Sequence, residues 1–176
     1  AGYLPRGSFR EDELDAAVRA RFSDIRAFQS AIPDILGRLG FGAERAAWLA
    51  ERILVDPARG AGHAMGAQRR EDKAHLRTRV PAEGMNFQGY NVAMHELGHN
   101  VEQVFSLNGI DHWALNGVPN TAFTEAFAFT FQGCDLAVLG LGAKGEEARH
   151  HEALHSLWQT VEIAGVSLLD MRLWNW

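Results

Sequence analysis

The sequence predicts a mainly α-helical fold with one small antiparallel β-sheet. Three observations carry that reading. Apolar residues recur at three- and four-residue intervals over most of the chain, as in helices that bury one stripe. Side chains alternate in the manner of a strand only between residues 57 and 86. Glycine and proline gather at 56–62 and 140–145, between the periodic stretches.

Residues 1–10 read as a loop. From Glu11 to about Ser30, Leu14, Val18, Phe22, Ile25 and Phe28 mark one amphipathic helix, with Asp15, Arg19, Asp24 and Arg26 on its other face. Pro33 is expected to open a short helical turn, punctuated by Gly40 and Gly42. A long helix follows from Ala43 to about Val55, with Ala46, Leu49, Ala50 and Ile53 inward. The run Asp56-Pro57-Ala58-Arg59-Gly60-Ala61-Gly62 ends it.

His63-Ala64-Met65-Gly66 and Ala74–Val80 then suit two antiparallel strands. In the second, His75, Arg77 and Arg79 alternate with Leu76, Thr78 and Val80. His63 follows Gly62, where a backbone or substrate can come close, so it is a candidate cleft residue, and His75 is another; both also suit ordinary structural histidines.

Met85 to Tyr90 leads into a helix expected to end near Leu107-Asn108-Gly109. The connection Ile110–Asn120 carries His112, Trp113, Gly117 and Pro119. In the next helix Phe123, Phe127 and Phe131 recur every four residues, while Glu125 and Phe129 point nearly the opposite way. Bulky apolar groups on both faces predict a buried helix. Gly133 and the glycines at 140, 142 and 145 mark a turn before a final helix from Glu146 to Trp176. The whole reads as one domain over 1–176: a helical scaffold at 1–56, the sheet and the helices bearing His95, His99 and Glu125 at 57–135, and a C-terminal helix at 136–176.

At 176 residues and 47% hydrophobic, the chain can bury one real core. A net charge of −5 argues against a nucleic-acid partner, and no basic run suggests a membrane surface. A single cysteine, Cys134, excludes an internal disulfide framework and reads as a small packed residue. The compartment stays open between cytoplasmic and exported after removal of a leader.

The chemistry gathers in Asn91-Val92-Ala93-Met94-His95-Glu96-Leu97-Gly98-His99-Asn100-Val101. His95 and His99 are four residues apart, so on a helix both imidazoles can grip one ion. Glu96 lies about 100° round the helix, where it can take a proton from a water beside that ion. Two neutral nitrogens suit zinc, which leaves room for a third protein ligand and an open position. The pattern occurs twice, since His151-Glu152-Ala153-Leu154-His155 matches as well. The flanks decide between them. Val92, Ala93, Leu97, Gly98, Asn100 and Val101 are uncharged, whereas Glu146-Glu147-Ala148-Arg149-His150 looks like the solvated start of a surface helix.

Glu125 is the best candidate for the third ligand, because a carboxylate on a buried helix must be paired or must bind a metal. Its bland alternative is a salt bridge to an arginine or lysine. Glu102 competes from the His95/His99 face, one turn further on, and reads as a neighbour of the site or a solvent-exposed group.

His95-Glu96-Leu97-Gly98-His99, with Glu125 after twenty-five intervening residues, resembles the gluzincin metallopeptidases. The spacing is similar to that of the M3 oligopeptidases (thimet oligopeptidase and oligoendopeptidase F), and secondly to the M32 carboxypeptidases. It is longer than in thermolysin or the M1 aminopeptidases, although Thr124-Glu125-Ala126-Phe127-Ala128 is similar to the M1 ligand segment. The resemblance covers about Gly60 to Asp135. It implies a zincin-like catalytic domain that hydrolyses peptide bonds, with zinc on His95, His99 and Glu125 and with Glu96 as base. It implies that an extended peptide substrate adds to the edge of the sheet. Gly98 would permit close packing behind the ligands.

The M3 resemblance also implies a far longer protein and a tyrosine or histidine beyond the third ligand that polarises the scissile carbonyl. This chain has only Tyr3 and Tyr90 and ends on Leu173-Trp174-Asn175-Trp176, so it is expected to be a fragment that binds zinc and hydrolyses peptides poorly or not at all. Tyr90 and His112 are the candidates for a catalytic contact with substrate, and the apolar end is a candidate for self-association. A helical metal-binding module without turnover is the competing reading. A helical interaction protein with a chance motif is the third.

Overall fold

The computed structural model describes residues 9–115, 120–142 and 146–176, without the side chains of Trp113, Ala148, Arg149 and Glu152. Tyr3, Gly117, Pro119, Gly145 and those four side chains lie outside the described residues.

The apolar stripe that begins at Leu14 is carried by two helices rather than one. Helix α1 (Glu11–Arg21) buries Leu14 and Val18, and α2 (Ile25–Arg38) buries Phe28, Ile32, Ile35 and Leu36. Asp24 makes the break. Its carboxylate accepts from Ala27 N at 2.8 Å, which satisfies a first-turn N–H and starts a new helix while the apolar spacing runs on. Pro33 sits inside α2 instead of opening a turn. Gly40, at φ 98°, supplies the left-handed residue beyond its end.

Helix α3 (Ala43–Ala50) is shorter than predicted, because Ile53 and Val55 belong to a strand, β1 (Ile53–Pro57). Ile53 is buried either way, so its inward position cannot tell helix from strand; β-branched residues favour the extended form. Strands β2 (His63–Met65) and β3 (Ala74–Thr78) pair antiparallel as expected, with His63 opposite Arg77 and Met65 opposite His75. Strand β1 pairs parallel to β3, giving the order β1-β3-β2. The sheet is therefore mixed, not purely antiparallel. Gln29 covers the outer edge of β1: its amide donates to Ile53 O at 3.0 Å and accepts from Val55 N at 2.7 Å. Strand β2 forms the opposite edge.

Ala74, Leu76 and Thr78 turn to the buried face of the sheet, against helix α4 (Phe87–Gly109). Asn86 caps α4 by accepting from Gly89 N at 2.9 Å. The Thr78 hydroxyl donates to Gly89 O at 2.8 Å, which ties the end of β3 to the first turn of α4. Helix α4 packs on α1, both β2 and β3, and helix α5 (Thr121–Gly133), so it runs through the centre of the core. Phe22, Phe28, Phe87 and Tyr90 form an aromatic cluster at its start, Phe22 stacking on Tyr90 at 5.5 Å.

Two expectations further along are corrected. The segment after Gly133 holds a short helix, α6 (Asp135–Leu139), which buries Leu136 and Val138 and ends at Gly140 with φ 80°. Helix α5 is not buried all round: Phe123 and Phe129 are 54% and 58% exposed, while Ala128 and Phe131 are covered. One face lies on α4, and that contact is set by Gly98. A methyl group on Gly98 would sit 2.7 Å from Ala128 Cα. Gly98→Ala is accordingly expected to destabilise the fold by about 1–3 kcal/mol, because the obstacle is backbone. Urea unfolding of the variant against wild type checks it.

Residues Ala1–Gly142 make one compact unit and Ala143–Trp176 another. The second holds helix α7 (Glu146–Trp174), on which Leu157, Trp158, Val161 and Leu169 are exposed. Among the described residues, no helix is long and apolar enough to cross a membrane. The fold is mainly α-helical with a small sheet, as the sequence predicts.

Candidate metal centre

His95 and His99 lie mid-way along α4, and Glu125 lies in the second turn of α5. The close crossing at Gly98 and Ala128 brings them together: Gly98 stands between the two histidines in sequence, and Glu125 is one turn before Ala128. The Nε2 atoms of His95 and His99 are 3.1 Å apart. Glu125 presents Oε2 at 3.3 Å from His95 Nε2 and Oε1 at 3.5 Å from His99 Nε2. Among the described residues these three form the one group of histidine, cysteine or carboxylate side chains that could hold a metal ion.

The donor set can be tested against zinc by geometry alone. Ligands about 2.0–2.1 Å from an ion at tetrahedral angles stand about 3.3–3.4 Å from one another. The three separations here bracket that value. Two neutral nitrogens and one carboxylate also match a catalytic zinc site, which keeps a fourth position open. The residues fit the ion.

A second layer of contacts holds His95 in place. Its Nδ1–H donates to Gln132 Oε1 at 3.1 Å, so the Nε2 lone pair is free to face the site. Gln132 donates in turn to Asn91 Oδ1 at 2.7 Å, and Asn91 donates to Asp135 Oδ2 at 2.6 Å. Asp135 is fully buried and also accepts from Leu136 N. The Phe129 ring stands edge-on to His95 at 4.9 Å. Burial, and then the neighbouring His95, push the His99 imidazole below its ordinary pKa, while Glu125 and Glu96 oppose them. Near neutral pH His99 is thus held in the uncharged form that a metal requires.

Sequence reasoning did not find Gln132, Asn91 or Asp135. A signal existed for two of them. Asn91 is one turn before His95, and Gln132 is two turns after Glu125, so each shares a face with a ligand. Gln132→Leu is expected to weaken zinc binding about 10–100-fold while leaving the fold intact, as a titration against a chromogenic chelator would measure.

A scan against protein-family models, a search of curated proteins and a search of solved structures each found no match to this chain. The reading of the site rests on its geometry.

Glu96 lies toward the sheet. A methyl group on Gly62 would fall 3.5 Å from Glu96 Cγ and 2.3 Å from Val92 Cγ1, so the start of the edge strand β2 rests against that turn of α4. Any larger residue there would require the Val92 side chain to shift. His63, next along, is exposed, and its charge is among those that bear on His99. His75 is occupied on the outer sheet face, with Nδ1 2.7 Å from Asp56 Oδ2.

Tyr90 is not in the cleft. It is fully buried, and its hydroxyl donates to Asp135 O at 3.0 Å. Five residues before His95 it points about 140° round the helix, toward the aromatic cluster. The catalytic role expected of Tyr90 is therefore withdrawn. His112 is exposed in the connection after α4, where its Nδ1 accepts from Ala114 N at 3.3 Å; none of its described contacts is with the triad. Glu102 is half-buried one turn beyond His99, and burial raises its carboxyl above the ordinary range. Glu125 itself is 44% exposed, so burial of the whole helix, the ground for choosing it from sequence, does not hold. What singles it out is its position over both imidazoles. In the second motif His151 is exposed and His155 half-buried on α7, and no third ligand joins them among the described residues.

Proposed function

We propose that this chain is a zinc-dependent peptidase domain of the gluzincin kind. The observation that carries the reading is the triad of His95 Nε2, His99 Nε2 and a Glu125 oxygen, spaced as the ligands of a tetrahedral ion are. A structural ion is usually enclosed by four protein ligands, whereas three with an adjacent carboxylate suit hydrolysis. Bound there, zinc would supply Lewis acidity that polarises a peptide carbonyl and makes water acidic near neutral pH. His95, fixed by Gln132, and His99, kept neutral, hold the ion. The Glu96 carboxylate accepts the proton of the attacking water and returns it to the nitrogen of the leaving amine. In this reading an extended peptide pairs with strand β2, which lies at the edge of the sheet.

A metal-binding module without turnover is the second reading. It is favoured by the burial of Tyr90, which leaves only His112 of the two carbonyl-polarising candidates on the surface. The test has two steps. Calorimetric titration is expected to give one zinc per chain, and a fluorogenic peptide library is expected to be cleaved slowly, and only when zinc is present. No zinc uptake sinks both readings; uptake without zinc-dependent cleavage leaves the second.

A further inference from the structure

Beyond His99, α4 forms one wall of a groove of about 300 Å³. Glu102, Gln103, Ser106 and Leu107 line that wall, and Gly66, Ala67 and Gln68, which follow β2, line the other. The groove continues the path of the edge strand. Strand β2 starts against Val92 and Glu96 at Gly62, and at its far end a methyl group on Gly66 would lie 3.2 Å from Gln103 Cδ. The strand therefore runs alongside α4 in the same direction, past the turn that bears His95 and His99, and delivers its end to the groove.

The lining mixes polar and apolar groups, and Glu102 is its one charged member. Among the described residues the Glu102 carboxylate has no hydrogen bond or ion pair. Arg70, near Leu107, is already committed: it donates to Leu107 O at 2.9 Å, Ile110 O at 3.1 Å and Asp111 Oδ1 at 2.8 Å. Half-burial makes an unpaired carboxylate costly, and a cation entering the groove would offset that cost.

We propose that this groove is a specificity subsite for a lysine or arginine side chain of a peptide laid along β2, and that Glu102 selects it. The proposal rests on the peptidase reading above. Along α4 the middle of residues 102–107 lies about 11 Å from the middle of the His95–His99 turn, roughly three residues of an extended peptide. The basic residue thus belongs about three positions from the bond that is cut.

The test uses the zinc-loaded Glu96→Gln protein, in which cutting is expected to be slow enough for binding to be read. Dye-labelled peptides carrying one arginine at successive positions are compared by fluorescence anisotropy with peptides carrying neutral citrulline there. Arginine is expected to bind about tenfold more tightly than citrulline at one position only. Adding Glu102→Gln should abolish that preference without changing citrulline binding, and Glu102→Lys should turn it into a preference for glutamate. Thermal unfolding of each variant verifies the fold. Zinc uptake is measured first, and its absence overturns both the peptidase reading and the subsite. Zinc uptake with equal arginine and citrulline binding at every position, or a preference that survives Glu102→Gln, overturns the subsite alone.

Discussion

Glu96→Gln is expected to leave zinc uptake and folding nearly unchanged and to lower peptide hydrolysis by about 10²-fold or more. The amide keeps the volume of the carboxylate beside Gly62 and Val92, so the contact between α4 and the start of β2 survives. What would be lost, on the proposed mechanism, is the proton acceptor. His95, His99 and Glu125 are untouched, and the Gln132–Asn91–Asp135 chain behind His95 does not involve Glu96. Steady-state kinetics with added zinc should therefore show a loss in kcat while calorimetry shows the same stoichiometry of metal. Equal rates in the variant and the wild type would show that Glu96 is not the base.

His99→Ala is expected to reduce zinc affinity by more than about 10²-fold, beyond the largest loss foreseen for Gln132→Leu, because it removes a ligand rather than the support of one. Two donors, His95 Nε2 and a Glu125 oxygen 3.3 Å away, would remain. The pH dependence has a definite sign. Protons compete with the metal for the imidazoles, so zinc is released as pH falls. Burial, and then His95, hold the His99 pKa below its ordinary value, so its share of that release begins at a lower pH than for an exposed histidine. A zinc titration repeated across the acid range, with and without His99, measures both effects. Unchanged affinity in the variant would remove His99 from the ligand set, and with it the tetrahedral reading of the site.

His95, Glu96 and His99 were legible in the sequence because a four-residue interval on a helix places two side chains on one face, and that holds wherever the helix lies. The same local logic marked α4 to its end at Gly109, the pairing of β2 with β3, and the long final helix. It failed where a local pattern has two physical solutions. Leu14 to Phe28 keeps its apolar spacing through the cap at Asp24, so two helices read as one. Ile53 is inward in a helix or a strand, and only the parallel backbone pairing with Ala74 to Thr78 makes it a strand.

Glu125 could be nominated from sequence, but the argument used, a wholly buried helix, was not the reason it faces the histidines. Its place follows from the approach of α5 to α4 at Gly98 and Ala128, a contact between segments thirty residues apart. Tyr90 shows the converse: near His95 in sequence, it turns away into the core, where Phe22 and the Asp135 carbonyl claim it. The local interval determines which groups can share a face. Which face meets which is decided by backbone approach and by the hydrogen bonds that buried polar groups must find, and those are properties of the packed chain alone.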